Sequence, residues 1–368
     1  MHLDEVALFR RLPALGRALP WVRLGGWPTP VERLAALSTE LGADVWVKRE
    51  DRSNLRYGGN KVRTLEAVLG RARAAGATHI WATGAYGSNH AVATVMHAEA
   101  AGLGAGVLLF PQPASDPARA NLAAMIACGP RIERIASVAL LPAAMSLLAR
   151  RERASGAVPW IMPPGGASPE GAVGALTAAF ELAEQVAEGS CPAPRRIVLA
   201  VGSTCTTAGV LAGLHLAAAL GVGFTRETLP EVCAVRVTPW PVTSPWRIAN
   251  LARRTLALVD EARGASSGVS IAALRRTVNV LGAYFGGGYG RSTARGVRAA
   301  VRFADSGGPP LDIVYSAKAG AALCDLAPHT DGPILFWATK SSAVLPVPTA
   351  ADLAGAAPEL RAYLATAR

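Results

Sequence analysis

Lysine is scarce in this chain: of its 37 lysines and arginines only four are lysine, Lys48, Lys61, Lys318 and Lys340. Arginine carries nearly all the surface charge, and its guanidinium stays protonated and cannot form a Schiff base. Each retained lysine therefore has a raised claim to amine chemistry. Cysteine is scarce too. Cys128, Cys191, Cys205, Cys233 and Cys324 are scattered, form no CxxC pair and have no histidine at metal-ligand spacing. That argues against a disulfide framework or a zinc site, and fits reduced thiols packed in a core. Long apolar runs are missing as well. Ile197 to Val201 and Val107 to Phe110 fall far short of the roughly 20 residues a bilayer crossing requires. Charge from Asp4 onward argues against a secretory leader. The expectation is a cytoplasmic protein with no membrane partner.

What is present is ample core material, since 51% of the 368 residues are apolar, enough for one large domain or two intimate ones. The formal charge of +11 is spread over many predicted helices, and no basic run is interleaved with aromatics. A nucleic-acid partner is disfavoured on that ground, while an anionic cofactor would suit the charge.

Short β-rich runs alternate with alanine-rich helical stretches, the pattern of an α/β fold with a parallel sheet. The predicted strands are Val45 to Lys48, Ile80 to Thr83, Gly106 to Phe110, Trp160 to Met162, Ile197 to Val201, Cys233 to Val237, Ile313 to Tyr315 and Ile334 to Ala338. Helices are predicted over Asn60 to Ala75, Ser88 to Ala101, Ala118 to Cys128, Leu140 to Ala154, Glu170 to Ala187 and Thr206 to Leu220. Glycines gather where strands end, which in open α/β sheets is where ligands bind.

Four such junctions carry chemistry. In Tyr57-Gly58-Gly59-Asn60-Lys61-Val62-Arg63 two glycines end an extended segment, Asn60 is a candidate N-cap, and Lys61 enters the first helical turn. There the helix's positive end favours a neutral, nucleophilic amine; the competing reading is a solvated surface lysine. Gly84 to His90 offers the hydroxyl of Ser88, the amide of Asn89 and the imidazole of His90 at a helix start. Such a turn suits a carboxylate, although Ser88 could equally serve only as a cap. Gly202-Ser203-Thr204-Cys205-Thr206 follows an apolar strand and exposes small donors, as a single phosphate needs. It is neither a Walker loop nor GxGxxG, so a nucleotide is disfavoured. The last strand runs into Thr339-Lys340-Ser341, and Tyr289 and Tyr315 are two further polar groups at element ends.

In order, these segments resemble the fold-type II pyridoxal 5′-phosphate (PLP) enzymes, the tryptophan synthase β superfamily. Within it they resemble the family of 1-aminocyclopropane-1-carboxylate deaminase and D-cysteine desulfhydrase. The likeness runs from about Pro28 to Pro346 and is most specific in Lys48-Arg49-Glu50-Asp51 with Gly58-Gly59-Asn60-Lys61-Val62-Arg63. Ser88-Asn89-His90, Pro164-Gly165-Gly166 through Gly174, Gly202 to Gly209, Gly288-Tyr289-Gly290, Val314 to Lys318 and Thr339 match further family segments.

The resemblance implies two open, twisted, mostly parallel sheets flanked by helices. A large domain (residues 1–58 and 172–368) and a small one (59–171) would enclose the cofactor in their cleft, in a homodimer. It implies Lys61 as the Schiff-base lysine, with Asn60, Gly202, Ser203, Thr204, Cys205, Thr206 and Thr339 around the cofactor. Ser88, Asn89, His90 and Tyr289 would bind a small amino acid, and Lys61, Ser88, Tyr289 and Tyr315 would act in catalysis. His90 in place of glutamine and Ser316 in place of glutamate point to the desulfhydrase side, hence β-elimination giving pyruvate, ammonia and a sulfur leaving group. An L-cysteate sulfo-lyase, a cyclopropane deaminase, a β-replacement synthase or a non-catalytic PLP or amino-acid sensor are the alternatives. Two departures concern the ligand: GSTCTTAG where the family reads close to GSGGTxAG, and Lys340-Ser341 where it has two glycines.

Overall fold

The structure, a computed structural model, describes residues 3–366. Ten strands form two sheets: β1 (Val31–Arg33), β2 (Val45–Lys48), β3 (His79–Ala85), β4 (Gly104–Phe110), β5 (Arg131–Arg134), β6 (Pro159–Ile161), β7 (Arg196–Val201), β8 (Glu231–Arg236), β9 (Val278–Leu281) and β10 (Ile334–Trp337). The larger sheet has the order β1-β2-β10-β7-β8-β9 and the smaller β5-β4-β3-β6. Every pairing is parallel except β1 with β2. This is the expected architecture of two mostly parallel sheets flanked by helices.

Apolar runs become strands here because both faces of each sheet are covered. Ile197, Leu199 and Val201 of β7 pack into one core while Val198 enters the core on the opposite face. Leu335 and Trp337 of β10 are divided from Ile334 and Phe336 in the same way. In the smaller sheet Ile80 and Ala82 face one core and Trp81 another.

The strands that sequence patterning misses are β1, β5 and β9. They are edge strands, short and partly exposed: β1 (Val-Glu-Arg) and β5 (Arg-Ile-Glu-Arg) carry no apolar run, and β9 (Val-Asn-Val-Leu) is only four residues long with Asn279 inside it. Charge on an edge is what keeps it from pairing with another chain. One expected strand, Ile313 to Tyr315, is a turn that leads into the Ser316–Leu326 helix. The cause is Asp312, whose carboxylate accepts the N–H groups of Val314, Tyr315 and Ser316 and so coils the backbone.

Behind the larger sheet lies a buried ionic cluster. Arg63 donates to Glu50 at 2.8 and 3.1 Å and to Glu181 at 2.9 Å, and its guanidinium lies 3.3 Å from the Trp27 ring centre. Lys48 also donates to Glu181, and to the Thr29 carbonyl and Gln185 at 2.8 Å each. The ionic residues and Gln185 come from β2, from the 3₁₀ turn after it, and from the Asn60–Ala74 and Pro169–Ala187 helices, while Trp27 and Thr29 lie in the segment before β1. Burial pushes the Glu181 carboxyl up, but Arg63 and Lys48 outweigh it and bring the pKa down to about 2.

Glu181→Leu leaves two buried cations short of a counter-charge, so urea unfolding should show a loss of about 3–5 kcal/mol. Since the folded pKa of about 2 lies below the ordinary 4.5, the stabilisation from Glu181 is present above pH 4.5 and disappears as pH falls through 2. The difference between wild type and Glu181→Leu should shrink over that interval.

Candidate active site

Strand order brings the junctions together. β2, β10 and β7 are neighbours, and they deliver the Gly58-Asn60 turn, Thr339 and Gly202-Cys205 side by side. The Asn60 N–H donates to the Thr339 carbonyl at 3.1 Å, and the Gly58 N–H to the Ser341 hydroxyl at 2.9 Å. Gly59 sits at φ +90°, and a Cβ there would lie 2.7 Å from the Thr339 carbonyl oxygen. That is why a glycine precedes this helix. Gly59, rather than Asn60, is the residue flanking the helix start, so Asn60 is not the N-cap; its amide donates instead to the Thr206 hydroxyl at 2.6 Å.

Lys61 Nζ donates to the Gly165 carbonyl at 2.9 Å. Among the described residues no carboxylate forms an ion pair with it. The side chain keeps some solvent access, yet dense packing lowers its pKa, with the Cys205 thiol pulling weakly the other way. Gly165 and Gly166 form a turn at φ +67° and +69° that lies against the opposite loop. A Cβ on Gly165 would sit 2.4 Å from Ser203 Cβ, and Cys205 donates its S–H to the Gly166 carbonyl at 3.2 Å. Lys61, the glycine turn and the Ser203-Cys205 loop are thus one contact group.

His90 belongs to the same group. It is buried, neither ring nitrogen has a hydrogen-bond partner, and burial together with the Lys61 charge holds its pKa well below the ordinary value. A bare, neutral imidazole beside an amine held by one backbone carbonyl is an incomplete polar set. The 15-residue helix Cys205–Ala219 begins at the loop, so its first N–H groups lack intrahelical partners and favour an anion. Orphaned His90, uncompensated Lys61 and this N-terminus fit a phosphorylated aldehyde cofactor that bonds to an amine. Thr204 closes the loop at φ +75°, the lone non-glycine residue at positive φ among those described. The two bulkier residues of the altered loop therefore differ: Cys205 is helical, while Thr204 takes up a backbone shape suited to glycine.

A second group lies across the cleft. Asn89 Oδ1 accepts from Lys340 Nζ at 2.8 Å, Asn121 Nδ2 at 2.9 Å and the Tyr57 hydroxyl at 3.2 Å. With its oxygen saturated, the Asn89 amide nitrogen is free to donate to a ligand. Ser88 does cap its helix, its oxygen accepting the Ala91 N–H at 3.2 Å, which leaves the hydroxyl proton to donate elsewhere. Tyr315 donates to the Tyr289 hydroxyl at 2.8 Å. Burial raises both phenols, Tyr315 well above the ordinary value and Tyr289 less because of this hydrogen bond, so both stay protonated near neutrality. Lys318 Nζ holds the Phe285 carbonyl at 2.8 Å, just before the loop that carries Tyr289. Tyr315, Lys340, Asn89, Asn121 and Gln112 line one cleft.

The Ser88-Asn89-His90 turn joins the two groups, His90 beside Lys61 and Asn89 beside Lys340. Sequence reading missed Asn121 and Asp312. Asn121 had a signal, an amide on the otherwise apolar inner face of the Asp116–Ala127 helix.

Over residues 22–339 the chain matches the family model described as "Pyridoxal-phosphate dependent enzyme". It is 34% identical over 334 residues to a nocardicin C-9′ epimerase of Nocardia uniformis subsp. tsuyamanensis, covering 88% of this chain and 94% of that protein. A D-cysteine desulfhydrase of Salmonella paratyphi C is 32% identical over 335 residues, covering 89% and 95%. A crystal structure described as an ACC deaminase homologue has a TM-score of 0.72 and 30% identity, covering 92% of this chain and 95% of its own.

A β-branched residue at positive φ costs roughly 1–3 kcal/mol, which a glycine relieves at some cost in chain entropy. Thr204→Gly should therefore stabilise the cofactor-free protein by about 1 kcal/mol, read as a higher urea midpoint.

Proposed function

Because the chain belongs to the pyridoxal-phosphate dependent enzyme family, we propose that it is a lyase removing a sulfur-bearing β-substituent from a small amino acid, as a D-cysteine desulfhydrase does. The observation that carries the reading is Lys61, a lowered-pKa amine held by a backbone carbonyl alone, touching the glycine turn that packs on the Ser203-Cys205 loop. Gly202, Ser203, Thr204, Cys205, Thr206 and Asn60 would hold the phosphate. Thr339 would meet the ring nitrogen with a neutral hydroxyl.

Bound PLP supplies an electron sink that acidifies the Cα–H bond of an attached amino acid. The protein must then orient that bond and move protons. Ser88 and the Asn89 amide nitrogen, with His90 behind them, would fix the carboxylate. Lys61 Nζ would take the Cα proton as its base. The Tyr289–Tyr315 pair, protonated near neutrality, would donate to sulfur as the Cβ–S bond breaks. With one water the balance is cysteine to pyruvate, ammonia and hydrogen sulfide. A cytoplasmic homodimer, with residues 59–171 closing on the rest, is part of the same reading, and sedimentation and fractionation read the first two directly.

A second reading, epimerisation at Cα, is supported by the identity to a protein named an epimerase. It shares the first proton transfer and differs in returning a proton to the opposite face.

The purified protein should show a yellow absorbance band that borohydride traps on Lys61, and Lys61→Ala should lack it; a colourless chain that ignores added PLP would refute the reading. Incubation with D- and L-cysteine in deuterated water separates the two reactions. Pyruvate and sulfide mark elimination, whereas inverted amino acid deuterated at Cα without keto acid marks epimerisation. Tyr315→Phe should keep the cofactor absorbance and lose turnover by ~10²-fold or more. Undiminished turnover would remove Tyr315 from the mechanism.

A further inference from the structure

Lys340 stands one residue beyond Thr339, where β10 delivers the chain into the cleft. The strand-end staples on either side of it, Thr339 to Asn60 and Ser341 to Gly58, fix its backbone against the turn that carries Lys61. Its ammonium donates to Asn89 Oδ1 at 2.8 Å and to Asn121 Oδ1 at 3.3 Å, and lies 5.8 Å from the Tyr57 ring centre. All three neighbours are neutral.

Among the described residues no carboxylate forms an ion pair with Lys340. Asp312 lines the same cleft, but its oxygens are taken by the N–H groups of Val314, Tyr315 and Ser316 and by the Ser316 hydroxyl. Burial lowers the Lys340 pKa, and the Asp312 charge, which makes no hydrogen bond or ion pair with the ammonium, opposes it without reversing the direction. An ammonium drawn from water and met only by amide dipoles is incompletely compensated. The remaining lining of the cleft includes Gln112, Ser115 and Tyr315, groups able to hydrogen-bond an oxyanion.

We propose that Lys340 selects amino acids whose side chain ends in a second anionic group, a carboxylate or a sulfonate. The inference rests on the reading of this cleft as an amino-acid site and names the substrate class for it. An anionic tail beside Tyr315 would supply the counter-charge that Lys340 lacks, while the α-carboxylate occupies the Ser88-Asn89 turn. The two departures from family pattern are therefore separate in kind: Thr204 holds a glycine-like backbone shape under strain, and Lys340 adds a charge that a ligand can read.

The test is titration of the PLP-loaded enzyme with cysteate, aspartate, cysteine and alanine, each in both enantiomers, following the change in cofactor absorbance. Cysteate or aspartate should bind at least ~10-fold more tightly than alanine of the same hand, and the ratio should fall to about 1 in both Lys340→Met and Lys340→Gln. Cysteate against aspartate tells sulfonate from carboxylate. A ratio near 1 in the wild type, or one that survives both substitutions, overturns the proposal. So does loss of PLP affinity with an unchanged ratio, which would assign the ammonium to the cofactor. Keto-acid release is measured in the same samples. Its absence with every probe, alongside a Lys340-dependent ratio, would refute the elimination reading alone; pyruvate from cysteine with a ratio near 1 would refute this inference alone.

Discussion

Arg63 lies two residues beyond Lys61 on the same first helical turn, and its guanidinium is held by Glu50 and Glu181, which come from different elements. That buried pairing fixes the helix against the 3₁₀ turn after β2 and against the Pro169–Ala187 helix, and so fixes where the Lys61 amine emerges. Charges buried without partners are costly, so the cluster has essentially one satisfactory arrangement, and Lys48 completes it by neutralising the second half of Glu181. Two of the four lysines are thus at work in neighbouring parts of the fold for opposite reasons. Lys48 is an ammonium matched to a carboxylate, and Lys61 an amine left without one.

The same logic of matched and unmatched groups runs through the cleft. Asn89 has its oxygen saturated by three donors and its nitrogen left over; Ser88 has its oxygen used as a cap and its proton left over. His90 has both nitrogens bare. Satisfied atoms hold each side chain still, and the leftover ones are what a cofactor or an amino acid can meet. Lys340 is the charged case, with its geometry fixed by amides and, among the described residues, no carboxylate paired with it. Among the described residues the one non-glycine residue at positive φ, Thr204, lies in the same region, immediately before the Cys205–Ala219 helix.

Most of the sheets could be read in advance because a strand covered on both faces must be apolar throughout. The boundaries of β2 and β7 come within a residue of expectation on that basis. The strands that escaped are edges: charge in β1 and β5 serves to prevent pairing and hides them from any hydrophobic pattern, while β9 is short and broken by Asn279. The expectation of a strand fails at Ile313 to Tyr315 for a different reason: three β-favouring residues are overruled by a single carboxylate, Asp312, that captures the N–H groups of Val314, Tyr315 and Ser316. Asn60 was legible as a polar residue at a helix start, but its partner, the Thr206 hydroxyl, lies on another strand's junction, so its bridging contact was not.

The sequence by itself determined the types of most elements, the scarcity of lysine that raises the claim of Lys61, and the run of junction segments that match one cofactor family. These are local properties, set by hydrophobic period, by glycine at strand ends and by residue chemistry. Only the tertiary structure decided which junctions meet. Lys61 finds Gly165 across 104 positions of chain and Lys340 finds Asn89 across 251. No local pattern specifies such partners, because they follow from β10 inserting between β2 and β7 and from the smaller sheet carrying its Ser88-Asn89-His90 turn into the same cleft.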